Sequence, residues 1–171
     1  VGGKEMIRLW SALALVIGLA SCLDPVQSAK KDALGDEVSG VSEGPEHRPG
    51  QPCLVCHEGG IGSPPEFAVA GTVFRDSASR VGLSDVTVRL QDANGVTHTE
   101  VTNRVGNFYV RPETFSPAYP MRVSLAYQGA TVEMRTNIGR DGACATCHTG
   151  PRGARSPGHV YVFDASNGGE P

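Results

Sequence analysis

The amino-acid sequence predicts an all-β fold, a small β-sandwich of six or seven short strands, and three observations carry that expectation. First, apolar residues alternate with polar or small ones in Val69-Ala70-Gly71-Thr72-Val73 and in Val86-Thr87-Val88-Arg89-Leu90-Gln91, the period-two pattern of strands with one buried face. Second, further short strand patterns recur at residues 97–103, 107–110, 122–127 and 131–135, with His159-Val160-Tyr161-Val162-Phe163 as a closing strand. Third, turn signals separate them at Ala93-Asn94-Gly95, Val105-Gly106-Asn107 and Gln128-Gly129, at the spacing of a sandwich. The 171-residue chain, 19% charged and 39% hydrophobic, suffices for one globular domain with attachments.

In chain order, residues 1–21 read as an export signal. Lys4 and Arg8 precede an apolar run from Leu9 to Ala20 that is too short to span a bilayer as an ordinary helix. The run ends in Leu19-Ala20-Ser21-Cys22, which resembles the bacterial lipobox. That resemblance implies cleavage before Cys22, lipidation of Cys22, and anchorage by several acyl chains, a stable attachment where one chain is marginal. Leu23 in place of Asp resembles the default that directs lipoproteins to the outer membrane, so the expected location is the bacterial cell envelope, facing periplasm or cell surface. An ordinary cleaved signal with a free Cys22 is the alternative. Residues 22–50 are rich in Asp, Glu, Ser, Gly, Pro and Lys with little to bury, and read as a flexible tether.

Residues 51–66 carry Cys53-Leu54-Val55-Cys56-His57, and the pattern returns as Cys144-Ala145-Thr146-Cys147-His148 within residues 137–171. One helical turn brings residues i and i+3 together and projects the next residue beside them. C-x-x-C-H is the attachment pattern of c-type haem. The chain therefore resembles a dihaem c-type cytochrome lipoprotein. The resemblance implies two covalently bound haem c groups, on Cys53 and Cys56 and on Cys144 and Cys147, with His57 and His148 as proximal iron ligands. The competing reading is zinc or a thiol pair, since two C-x-x-C units could supply four thiolates. His at the fifth position of both copies and the long gap between them speak against it. The five cysteines are then accounted for, one for the lipid and four for two haems, with none left for a disulfide.

For the sixth iron positions, His47 and His159 are the candidate distal ligands. Each lies in a Pro/Gly-rich loop beside a motif, and ten extended residues reach about 33 Å, which also allows each to serve the other haem. Met121 and Met134 alternate with Val123, Leu125 and Val132 and read as sandwich core. His98 lies in a polar strand and reads as a solvated residue.

A second resemblance covers residues 67–136. Ala70-Gly71-Thr72-Val73, Gly82-Leu83-Ser84-Asp85-Val86-Thr87-Val88-Arg89-Leu90, Asn94-Gly95 and Thr102-Asn103-Arg104-Val105-Gly106-Asn107-Phe108 look like a carboxypeptidase regulatory-like domain. It implies a small immunoglobulin- or transthyretin-like β-sandwich, here with c-haem-binding loops at both ends, and no catalysis. If the first and last strands are neighbours, the two haems are neighbours too.

A net charge of -3 leaves no electrostatic footprint for nucleic acid. No Ser/His/Asp set, paired carboxylates or phosphate loop stands out, which gives a hydrolase or transferase little support. The expectation is a membrane-anchored electron carrier rather than an enzyme, working with redox partner proteins or within a larger redox complex. A haem protein with an open sixth position, binding ligands or acting like a peroxidase, is the rival, and a non-haem surface binding module with a zinc or thiol site is another.

Overall fold

The computed structural model describes residues 24–37, 43–60, 62–150 and 152–163. The expected export signal and Cys22 lie outside the described residues. The chain divides into two compact units, Val1–Gly35 and Asp36–Pro171.

In the first unit, α1 (Pro25–Ala33) has its start and end written locally. The Asp24 carboxylate accepts from the backbone N–H groups of Val26 (2.9 Å) and Gln27 (3.0 Å), Pro25 occupies the first turn, and Lys30 and Lys31 sit at the C-terminal end of the helix dipole. The stretch over residues 22–50, read from composition as a flexible tether, thus contains a helix over residues 25–33, because composition does not register a capped turn. Among the described residues no helix is long and apolar enough to cross a membrane.

The second unit consists mostly of strands in two sheets. A single helical turn, α2 (Leu54–His57), precedes β1 (Val69–Asp76), β2 (Thr87–Gln91), β3 (Thr97–Val101), β4 (Asn107–Val110), β5 (Arg122–Tyr127) and β6 (Ala130–Glu133). The turn α3 (Cys144–Cys147) and β7 (Val160–Phe163) follow. The orders are β4-β1-β7 and β3-β2-β5-β6. Each strand overlaps a segment expected from alternation, with shifted ends: β1 runs three residues beyond Val73, to Asp76, β3 stops at Val101, and β6 begins one residue early and stops at Glu133.

The alternation has its physical counterpart in β2, where Val88 and Leu90 are fully buried and Arg89 between them is exposed. Both sheets contribute to one core: Val69 and Val73 from β1, Val88 and Leu90 from β2, Phe108 and Val110 from β4, Leu125 from β5, Val162 and Phe163 from β7. Met121 is fully buried in that core, as expected, and Met134 is half-buried. His98 departs from the expectation of a solvated residue: it is half-buried, its ring stacked 5.5 Å from Phe115.

Two features of this topology bear on the cysteine motifs. β1 is the centre of its sheet and β7 pairs with it in parallel, Val73 opposite Val160 and Asp76 opposite Phe163. The first and last strands are therefore direct neighbours. Residues 43–50 also lie against the strands, so this end of the expected tether is ordered. Asn107 Nδ2 donates to the carbonyls of Pro45 (3.3 Å) and His47 (3.1 Å), Gly50 N–H donates to Thr72 Oγ1 (2.7 Å), and Arg104 pairs with Glu46.

Candidate functional site: two Cys-His turns on one strand

The two motifs adopt the same local geometry. His57 N–H donates to the Cys53 carbonyl at 3.0 Å, and His148 N–H donates to the Cys144 carbonyl at 2.9 Å. Each Cys-x-x-Cys-His is thus one helical turn. Both turns are attached to β1. Phe67, which enters β1, donates its N–H to the His57 carbonyl at 2.8 Å. At the other motif, Ala70 N–H donates to the Gly142 carbonyl at 3.0 Å and pairs with Ala143.

Gly71 sits under Cys144 so closely that a Cβ there would lie 2.8 Å from Cys144 Cβ and 2.9 Å from its Sγ. Glycine within a strand often marks such a close approach, and here it seats the second turn against the sheet.

The first sulfur of each motif, on Cys53 and on Cys144, is in surroundings that favour an uncharged group. Burial pushes the Cys53 thiol from 9.0 up to about 11. Burial, reinforced by the nearness of Cys53, pushes Cys144 from 9.0 up to about 12. The two motifs are therefore close enough for one sulfur's charge to be felt at the other. Reactive dithiols and zinc ligands need thiolates, which a low-dielectric surrounding disfavours. A thioether sulfur has no proton to lose and suffers no such penalty. Among the described residues no three or more His, Cys, Asp or Glu side chains are gathered as a protein-only metal site would need. Haem iron takes only its axial ligands from the protein, so its requirement is different.

The histidines share one arrangement. His57 Nδ1 lies 2.9 Å from the Ser63 carbonyl and 2.8 Å from the Pro65 carbonyl. His148 Nδ1 lies 2.9 Å from the Gly158 carbonyl, and His159 Nδ1 lies 3.2 Å from the Ser79 carbonyl. His47 Nδ1 bonds the Gly44 carbonyl. A carbonyl only accepts, so each Nδ1 carries the proton, leaving the Nε2 lone pair as donor to a metal. That is the outer support metal-bound imidazoles ordinarily have. His98, the remaining histidine, instead directs Nε2 at Glu100 (3.4 Å).

His47 and His57 lie together, with ring centres 5.9 Å apart and planes at 67°. Two imidazoles on opposite sides of one metal would have centres roughly 6 Å apart, taking bonds of about 2.0–2.1 Å and about 1 Å more to each ring centre. Phe67 packs on His57 at 4.6 Å and stacks on Tyr109 at 4.8 Å, forming an apolar wall.

His159 is placed differently. It stacks on Phe74 at 4.2 Å and leans on Gly150, where an added Cβ would run into its Nε2. It borders a cavity of about 350 Å³ shared with Pro49 and Gly50, just before the first motif, Gly150, just after the second, and Phe74 and Arg80. No imidazole stands beside His148 among the described residues as His47 stands beside His57.

Sequence reasoning missed the residues that hold these ligands. Buried Ser156 donates to the carbonyls of Cys147 (3.1 Å) and Thr149 and accepts from Gly158 N–H (3.0 Å), and Gly158 in turn holds His148. Buried Thr72 donates to Asn107 Oδ1 (2.7 Å), the pair that ties down the loop of His47. The only sequence signal for either is a small polar residue beside apolar ones. No family model, curated protein or solved structure matches the chain.

Proposed function

We propose that the protein is an electron carrier with two covalently attached c-type haems. Cys53 and Cys56 would hold one with His57 on its iron, and Cys144 and Cys147 the other with His148. The observation that supports this best is the shared arrangement of His47, His57, His148 and His159. Each has Nδ1 tied to a backbone carbonyl, which leaves Nε2 without the proton, and at His159 that nitrogen packs on Gly150. Thiols whose surroundings favour an uncharged sulfur fit thioether links.

When bound, such a group supplies reversible one-electron chemistry at iron. The chain's part is to fix the imidazoles through backbone carbonyls, to shield one face with Phe67 and Tyr109, and to seat both attachment turns on β1. Arg80 at the His159 cavity provides a cation for a carboxylate such as a haem propionate. His47 would hold the first iron together with His57, which the 5.9 Å between their ring centres supports.

The proposal extends to the lipid on Cys22, the bacterial envelope with outer-membrane placement, redox partner proteins, and a carboxypeptidase regulatory-like sandwich as scaffold. These rest on the sequence patterns given above. One observation favours a second reading for the second iron: no imidazole lies beside His148. That iron would then have an open sixth position and bind small ligands, whereas His159 ligation would close it.

The test is expression with a c-haem assembly system, followed by intact-mass measurement and absorption spectroscopy. A mass increase of two haems and a low-spin spectrum are expected, and absence of covalent haem would overturn the proposal. Carbon monoxide binding to half of the reduced haem would favour the open second site, and no binding would favour His159.

A further inference from the structure

On the solvent face of the four-stranded sheet, three arginines surround a depression of about 600 Å³ that no residue of either motif lines. Arg89 comes from β2, Arg122 from β5, and Arg135 from just beyond β6. All three are exposed and none has an ion pair among the described residues, although Glu133 also lines the depression.

The register explains why the charges meet. Gln91 is opposite Arg122 and Arg89 is opposite Ser124, so Arg89 and Arg122 are diagonal neighbours on one face. Ser124 is opposite Glu133, and Met134 N–H donates to the Val123 carbonyl (3.0 Å). The pairing then resumes only at Met121 with Ile138. Arg135, Thr136 and Asn137 therefore stand where a regular ladder would put one residue, opposite Arg122. Bulges of this kind bend a strand and re-aim its side chains, and they are over-represented beside functional sites.

Like charges across neighbouring strands are destabilising. Three guanidiniums against one carboxylate is a local excess of positive charge in a chain whose net charge is -3. Aromatic side chains, which would suit a sugar, do not line the depression. A carboxylate offers two oxygens and engages two guanidinium forks, whereas a terminal phosphate offers three and can engage all three. Ser124 and Asn137 add neutral donors at the rim.

We propose that this depression binds a phosphate group, of a soluble ligand or of a lipid headgroup, independently of any haem function. The test uses the full chain and its Arg122→Gln/Arg135→Gln variant, with sodium pyrophosphate, sodium chloride at matched ionic strength, and vesicles with and without phosphatidate. Saturable stabilisation of the wild type by pyrophosphate beyond chloride is expected, at least about tenfold weaker in the variant. That result with phosphatidate vesicles ineffective assigns a soluble ligand. Co-sedimentation with phosphatidate vesicles that the variant loses assigns a headgroup.

Without ligand the variant should melt at or above the wild-type temperature, because like-charge repulsion is relieved. Equal responses to pyrophosphate and chloride with no phosphatidate binding, or responses that the folded variant retains, would overturn the proposal.

Discussion

Alkaline pH is a direct probe of the sulfur environment in haem-free protein. Burial raises the Cys144 thiol from 9.0 to about 12 and Cys53 from 9.0 to about 11. A raised value means that the folded state favours the protonated thiol. The stability this contributes is fully present below pH 9, where both states hold the proton, and is lost as pH climbs towards the folded values.

At about pH 11 the unfolded Cys144 thiol has gained two pH units of ionisation that the folded one has not, which amounts to about 2.7 kcal/mol. Cys53 and Cys144 are half-buried as whole residues, so this is an upper figure, and the two sites, being coupled, contribute less than their sum. Urea unfolding of the haem-free wild type between about pH 8 and pH 11 should therefore show a loss of about 2–4 kcal/mol. Cys144→Ala should lose about 2 kcal/mol less over the same range. Tyr119, also raised, chiefly by burial and then by Asp141 and Cys144, contributes to both proteins and somewhat less in the variant, which adds to the expected difference. Equal slopes for the two proteins would refute the burial of Cys144. In haem-loaded protein the thioether sulfur has no proton, and the cysteine part of the slope should vanish.

Three other substitutions test the supports of the site. Gly71→Ala forces a methyl within 2.9 Å of Cys144 Sγ, so it should cost about 1–3 kcal/mol by urea titration and lower the fraction of chains with two covalent haems. Asn107→Ala removes the amide donor to the His47 carbonyl, one of two donors to the Pro45 carbonyl, and the acceptor of the buried Thr72 hydroxyl, which keeps only the Gly50 N–H. It should cost about 1–3 kcal/mol and, in loaded protein, convert about half of the low-spin signal to high-spin, a change a purely structural role would not produce. Ser156→Ala unties Cys147, Thr149 and Gly158, with about 1–2 kcal/mol lost and a shifted reduction potential at the haem of His148, read by spectroelectrochemistry.

Much of the architecture is legible in the sequence because its signals are local. Alternation in Val86-Thr87-Val88-Arg89-Leu90 reports which side of β2 is buried within a few residues, and turn glycines delimit the strands. The Cys-x-x-Cys-His turns are equally local, since both ends of the Cys53–His57 bond lie in one helical turn. Where local reading failed, the determinant was a contact at distance. Residues 43–50 look like linker by composition, yet Asn107, 60 residues from His47, supplies the bond that orders them. His98 looks solvated until Phe115 stacks on it.

What the chain states in one dimension is therefore the set of strands, the two Cys-x-x-Cys-His turns and the histidines beside them. Only the folded arrangement decides which of them meet. Parallel pairing of β1 with β7 brings the motifs onto one strand, and docking of the residue 43–50 loop puts His47 beside His57. The interrupted β5–β6 ladder turns three separate arginines into one depression. Each of these depends on register between segments tens of residues apart, and chain connectivity does not encode register in any short window.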